Sequence, residues 1–439
     1  MDPTTIVVVA FCVFAFGLVS HRIEKSPLTA PMLFVAIGLV AGPFGLGLIN
    51  LSLDGATTHI IIEVTLVLVL FSDASRIRVR ELRRGYRLPA RLLLLGLPLT
   101  IGLGLVLARL LFPSMSWAEL ALLAAVLAPT DAALGQVVVS SERVPVRIRQ
   151  ALNVESGLND GIAVPVVMVL LAAAAVLTGD HAVAAEAAHG SESGIGFAAA
   201  QIGLGPIAGI VVAYPAGWLV QRAATANSIN RAFEHFSGVA IALGAFGAAE
   251  LIGGNGFIAA FTAGFVIGNT TQSVCESLQE FAEDEGQLLA LIAFLVFGAV
   301  MVPPALEALD WETGIYIALS LTAVRMLPVA LALLGTGLRL PSVAFLGWFG
   351  PRGLATILFA LLVSEAEQIP NHERLFHIAT LAVAASALAH GLTAAPLAGA
   401  YGRWAGRLRA SDPEGAECQS APELPVRIRT REKRSAGTS

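Results

Sequence analysis

The sequence predicts an all-α, polytopic membrane protein of about 13 transmembrane helices, and three observations predict it. The chain is 56% hydrophobic and only 13% charged, where a soluble domain carries about 25% charged residues. Its mean hydropathy is +0.76. Its apolar residues fall into runs near the ~20 residues that cross a hydrocarbon core. The net charge of −5 therefore says little about partners and gives no sign of nucleic acid. Three cysteines, Cys12, Cys275 and Cys418, have no paired spacing, so neither a disulfide framework nor a zinc site is suggested.

The first run, 4–20, follows "MDPTT". That start has no basic region and no cleavage site follows, so the run reads as a retained helix. Runs at 28–49, 59–75 and 92–112 come next. The fifth, 117–139, is interrupted at "LAPTDAALG", where Pro129 removes a backbone donor and breaks the helix. The sixth, 151–177, opens with the polar stretch "ALNVESGLND". Runs seven to eleven are 195–219, 233–252, 254–270, 287–305 and 313–334. The twelfth, 342–364, is interrupted at "GWFGPRG", and the thirteenth is 375–398. Residues 1–400 thus form one transmembrane domain, and 401–439 read as a polar, disordered tail. Runs five and twelve have opposite directions, which suits two inverted six-helix repeats with crossed broken helices.

Orientation follows from arginine. The loops "RIRVRELRRGYRLPAR" (76–91) and "SERVPVRIRQ" (141–150) and the tail share one side. The loops "NLSLDGATTH", "TGDHAVAAEAAHGSESG" and "EALDWETG" carry acids without Lys or Arg. The positive-inside rule then puts the N-terminus outside and the C-terminus in the cytoplasm.

Ionisable residues inside spans mark function by default. The deep ones are Asp131, Glu155, Asp160, Arg325 and Arg352; Asp73, Glu63, Glu250 and His390 lie nearer span ends. Helix residues four apart share a face. Ser156 and Asp160 form one polar stripe, and Glu155 and Asn159 a second, about 100° away. Oxygen-rich stripes without His or Cys suit a hard monovalent cation. Asp160 lies roughly 13 Å into its span and Asp131 roughly 21 Å from the other side, so both reach the middle of a core about 30 Å thick. Thr130 and Asp131 sit at a helix break, which is tolerated at that depth where it lines a polar cavity. Glu155 reads as half of a structural ion pair with an arginine. Asp73 reads as a solvated acid in a cytoplasmic funnel, and Glu250 and His390 as structural. Two membrane aspartates also raise an intramembrane protease, but the "GLGD" context is missing, so no enzyme is expected.

With these residues in hand, the sequence resembles the monovalent cation:proton antiporters of the NhaP/NHE type, the sodium/hydrogen exchanger family. The resemblance rests on "GLVAGPFGLGL", "LAPTDAALG", "NVESGLNDGIAVP", "FAEDEGQLLALIAFLVFGAV", "RMLPVALALLGTGL" and "GWFGPRGLATILFA", spread over most of residues 30–400. It implies that Asp160 holds cation or proton in turn, with Asp131, Ser156 and the Thr130 carbonyl as further ligands. Asn159 before Asp160 implies the electroneutral branch. Glu155 would pair with Arg325, or with Arg352, which would compensate carbonyl ends at the span-12 break. The resemblance further implies a homodimer with core and dimerisation bundles, Na+ or Li+ as cargo with K+ as the alternative, and no resident cofactor. One departure is that Ala132 follows Asp131 where many relatives have Pro; here Pro129 precedes it.

Overall fold

A computed structural model describes residues 2–24, 28–51, 56–80, 87–131, 134–177, 194–271, 275–419 and 421. Every regular element among the described residues is helical. Among the described residues, eight helices are long and apolar enough to cross a membrane, and five apolar helices of 10–17 residues accompany them. Together they occupy every run read from hydropathy. The acid loop at 178–193, part of the basic loop (81–86), Ala132 and residues 422–439 lie outside the described residues.

In chain order the helices are α1 (Pro3–Glu24), α2 (Ala30–Ala41), α3 (Ala56–Ser75) and α4 (Arg87–Leu111, with a π turn at Leu92–Gly96). Then come α5 (Trp117–Val126), the short α6 (Gln136–Val139), α7 (Val146–Leu177), α8 (Gly194–Thr225), α9 (Arg231–Leu251) and α10 (Gly256–Thr270). The last are α11 (Cys275–Val296, continued by a π turn at Phe297–Met301 and a short helix at Val302–Glu307), α12 (Trp311–Leu321), α13 (Ala323–Ala332), α14 (Leu340–Trp348), α15 (Leu354–Ser364) and α16 (His372–Ser411).

Helices in lipid gain little from the hydrophobic effect between themselves, so small residues that let backbones touch take over. Gly264 and Gly268 lie one turn apart on α10. A Cβ at either would stand 2.1 Å from the carbonyl oxygen of Phe71 or Ser75 on α3. These glycines press α10 onto the last turns of α3. Gly157 in turn brings α7 against the same end of α3, with the Asp73 carbonyl 3.9 Å from the place of its missing Cβ.

A capping box starts α5. Glu119 N donates to Ser116 Oγ (3.3 Å), and Ser116 N donates to Glu119 Oε2 (2.7 Å). The other Glu119 oxygen accepts from the backbone and side-chain nitrogens of Asn371 at 3.1 and 2.8 Å. The first turn of α5 is therefore tied to the start of α16.

The boundary placed at residue 400 is not a break in structure. α16 runs on for 40 residues, and Tyr401, Ala405 and Leu408 are buried on one face of its end. The chain then turns back. Glu417 is buried, and its Oε1 accepts from Arg339 N at 2.7 Å and Ser342 Oγ at 2.9 Å at the start of α14. Arg147, in the first turn of α7, donates to the Ala416 carbonyl. The reading of 401–439 as disordered thus fails for 401–419: an amphipathic helix end and a buried acid hold that stretch against the bundle.

Candidate ion-binding site

The fifth and twelfth runs both break, and the breaks meet. α5 stops at Val126, three residues before Pro129. The residue before a proline disfavours helical backbone, and proline itself donates no hydrogen bond. α14 stops at Trp348, ahead of Gly350 and Pro351, and α15 starts at Leu354. Asp131 N donates to the Pro351 carbonyl at 2.7 Å, so the extended stretches are directly paired.

Each break carries a charged side chain that serves the other. Arg352 Nη1 lies 3.2 Å from the carbonyl oxygens of both Ala128 and Pro129, and 3.3 Å from that of Gly350. The Ala128 and Pro129 carbonyls follow the C-terminal end of α5, the negative end of its dipole, and that of Gly350 follows the end of α14. Asp131 Oδ2 accepts from Leu354 N at 2.9 Å, the first amide of α15 and the positive end of that half-helix. Thr356 Oγ1 adds a bond to the Val126 carbonyl at 3.2 Å. The expectation for Arg352 is corrected in part: two of its three carbonyl partners belong to the span-5 break. Asp131, expected as a cation ligand, commits one oxygen to a helix cap.

Glycine makes this crossing possible. A Cβ on Gly353 would stand 1.8 Å from Asp131 Oδ2. A Cβ on Gly350 would stand 2.5 Å from Arg325 Nε and 3.0 Å from Thr130 Cγ2. Neither residue tolerates a side chain while those neighbours stay in place.

The two stripes of α7 face this crossing. Ser156 Oγ lies 3.2 Å from Thr130 Oγ1, and Asn159 Nδ2 donates to the same hydroxyl at 2.6 Å. Glu155 Oε1 lies 2.6 Å from Arg325 Nη2 on α13, with both side chains 2% exposed. Arg325, not Arg352, is therefore the partner of Glu155. Asn159 Oδ1 is buried and accepts no hydrogen bond among the described residues, so it remains available as an oxygen ligand. Asp160 is 6% exposed and lies one residue beyond Asn159. Pro165, inside α7, cannot donate to the carbonyl of Gly161, the neighbour of Asp160. Among the described residues no three His, Cys, Asp or Glu side chains converge as for a metal ion. The site is built from hydroxyl, amide and carboxylate oxygens.

The structure brings Thr130, Asp131, Glu155, Ser156, Asn159, Arg325 and Arg352 into one connected cluster. Asp73 differs from expectation: it is 8% exposed rather than solvated, with Arg76 Nη1 3.9 Å from its carboxylate. Arg76 also donates to Ser72 Oγ at 3.2 Å. Glu250 caps α10 by accepting from Gly256 N at 2.8 Å. Gly350, Gly353 and Thr356 were not singled out as contact residues from sequence. The signal for the glycines was present as "GPRG", but Gly353 meets Asp131 from the other half of the chain, and Gly350 meets Thr130 from that half and Arg325 from α13.

A family model described as "Sodium/hydrogen exchanger, transmembrane" matches residues 6–400. The K(+)/H(+) antiporter NhaP of Alkalimonas amylolytica is 28% identical over 402 residues, covering 89% of this chain and 65% of that protein. The K(+)/H(+) antiporter NhaP2 of Shewanella sp. (strain ANA-3) is 26% identical over 373 residues, covering 84% and 62%. The chain thus spans 65% and 62% of the length of these two curated relatives. Among solved structures, the sodium proton antiporter MjNhaP1 from Methanocaldococcus jannaschii matches with a TM-score of 0.71 and 18% identity. That match covers 88% of this chain and 98% of the other. At that identity the likeness establishes the fold.

Proposed function

The chain belongs to the sodium/hydrogen exchanger family, and from that premise we propose that it exchanges one monovalent cation for one proton across the cytoplasmic membrane. The observation that carries this reading is the charge of the buried cluster taken together with Asp160, which follows Asn159 on α7. Asp131, Glu155 and Asp160 supply three negative charges when ionised; Arg325 and Arg352 supply two positive ones, and all five are buried. One added positive charge makes the cluster neutral. A proton on Asp160 does this, and so does a bound Na+, Li+ or K+.

That balance gives a physical reason for coupling. A buried site with an uncompensated charge costs several kcal/mol. The empty, ionised site is therefore the form least able to pass through a closed, dry intermediate. The protonated and cation-loaded forms are both neutral there and can pass. Exchange then proceeds one for one and without net charge movement. Asp160 is the residue that alternates. Ser156, Asn159 Oδ1 and the Thr130 carbonyl complete an oxygen shell for the cation. Arg325 with Glu155 and Arg352 with Asp131 hold the shell in place.

Na+ or Li+ is the first reading for the cargo. K+ is the second, because the two curated relatives above carry K(+)/H(+) names. We place the N-terminus outside and the C-terminus in the cytoplasm on the arginine distribution. A homodimer rests on the family resemblance. The test is proteoliposomes with a trapped pH dye, challenged with Na+, Li+ and K+ in turn. Asp160→Asn should abolish the response to every cation. Native exchange by Asp160→Asn would overturn the proposal.

A further inference from the structure

His390 is deeply buried on α16, and its environment is unlike that of a packing histidine. Its Nε2 lies 2.8 Å from the Trp348 carbonyl, the last of α14. Its Nδ1 lies 3.1 Å from Ser386 Oγ and 3.0 Å from the Ser386 carbonyl. Ser386 Oγ accepts from the backbone N–H of Arg352 at 2.7 Å. Nε2 faces only a carbonyl, which accepts, whereas Nδ1 faces the Ser386 carbonyl and a hydroxyl that can donate. The neutral ring therefore carries its proton on Nε2, toward Trp348, and Nδ1 accepts the Ser386 hydroxyl proton and makes no bond to the Ser386 carbonyl. The proton positions follow from the network, and the result is a directed chain. The Arg352 amide donates to Ser386, Ser386 donates to His390, and His390 donates to the Trp348 carbonyl.

Both ends of that chain lie on one short stretch, 348–352, the break itself. Helical hydrogen bonding runs out there: Phe349 N still donates to the Phe345 carbonyl at 3.1 Å, Gly350 N turns back to the Trp348 carbonyl at 2.8 Å, and α15 has not begun. The Trp348 indole N–H is held as well, by Thr393 Oγ1 at 2.9 Å. Ser386, His390 and Thr393 stand at steps of four and three, one face of α16. That face grips the break from outside, while Asp131 grips it from inside through Pro351 and Leu354.

We propose that His390, acting with Ser386, is a positioning residue for exchange. It fixes the span-12 break so that the Arg352 guanidinium stays on the carbonyl ends of the span-5 break. Its importance for transport rests on the exchange reading above; its hold on the break does not. The experiment is hydrogen–deuterium exchange on the full purified chain in detergent, with variants His390→Leu, His390→Gln and Ser386→Ala. Glutamine keeps a side-chain N–H that can reach the Trp348 carbonyl. Loss of one such hydrogen bond should speed amide exchange over 349–354 on the order of tenfold in His390→Leu and Ser386→Ala. His390→Gln should restore most of the protection, and amides of α3 and α10 should stay as in the wild type. The double variant Ser386→Ala/His390→Leu should be no worse than the worse single, because both cut one chain.

Wild-type protection of 349–354 in His390→Leu would overturn the proposal. So would a loss spread evenly over the chain in all three variants, or no rescue by glutamine. In proteoliposomes the same order should appear in the exchange rate. If the wild type exchanges nothing, the antiport reading fails while the amide measurement still decides this one.

Discussion

Removing one member of the Glu155–Arg325 pair should cost more than removing both. The two groups lie 2.6 Å apart and are each 2% exposed. Arg352, a second guanidinium, is also fully buried in the cluster. Glu155→Gln leaves Arg325 charged, buried and without its carboxylate. Breaking a buried pair in this way costs about 3–5 kcal/mol. Arg325→Gln should cost a similar amount by stranding Glu155. In Glu155→Gln/Arg325→Gln both charges leave together, and the two amides can bond to each other. The double variant should then lose only about 1 kcal/mol. The coupling energy, the two single losses less the double, is then at least about 5 kcal/mol, a factor of roughly 10³ to 10⁴ in an equilibrium constant. The assay is reversible unfolding by SDS in mixed micelles, followed by tryptophan fluorescence. Single-variant losses that add to the double within about 0.5 kcal/mol would refute the reasoning. A second readout follows from charge. Glu155→Gln makes the empty cluster neutral, so the half-saturating cation concentration should rise.

Gly353→Ala places a Cβ 1.8 Å from Asp131 Oδ2 and should cost about 1–3 kcal/mol by overpacking; melting in detergent and exchange in proteoliposomes should both fall, and wild-type values in both would show that the crossing has room to spare. Glu417→Ala removes the acceptor of Arg339 N and Ser342 Oγ and should cost about 1–3 kcal/mol in the same melts. Asp310 caps α12, accepting from Thr313 N at 2.8 Å and Arg374 Nη2 at 2.6 Å. Burial pushes its carboxyl up, but the bonds from Thr313 and Arg374 together hold it below its ordinary 3.8. A depressed folded value stabilises above the unfolded pKa and is lost as pH falls through the folded one. Asp310→Ala should therefore cost about 1 kcal/mol at neutral pH and progressively less in acid, as melts across the range would show.

What was legible in the sequence was what is local. Pro129 and Pro351 announce breaks because proline acts on its own backbone. The stripes of α7 follow from helical spacing, and Glu155, bound to Arg325, and Ser156, at the crossing, lie on different ones. Asn159 joins the two, with its nitrogen on Thr130 and its oxygen available. The choice between Arg325 and Arg352 for Glu155 needed the fold, since each lies well over 150 positions from Glu155. The cap that Asp131 gives Leu354 was hidden for the same reason. The end of α16 was legible in principle: Tyr401, Ala405 and Leu408 keep helical spacing, but Arg403, Arg407 and Arg409 lower the hydropathy and disguise it. Glu417 gave no local sign, because an acid among polar residues looks like any other until its partners are in view.

The exchange of charged groups between the two breaks also has a genetic consequence. Asp131 and Leu354 lie 223 positions apart, as do Arg352 and Pro129. Neither half of the gene can change its break alone: a bulkier residue at Gly353 demands a shorter one at Asp131, and a lost arginine at 352 exposes carbonyls encoded in the other half. Such sites should mutate in pairs, so that a substitution harmful in this background becomes neutral in one that already carries its counterpart.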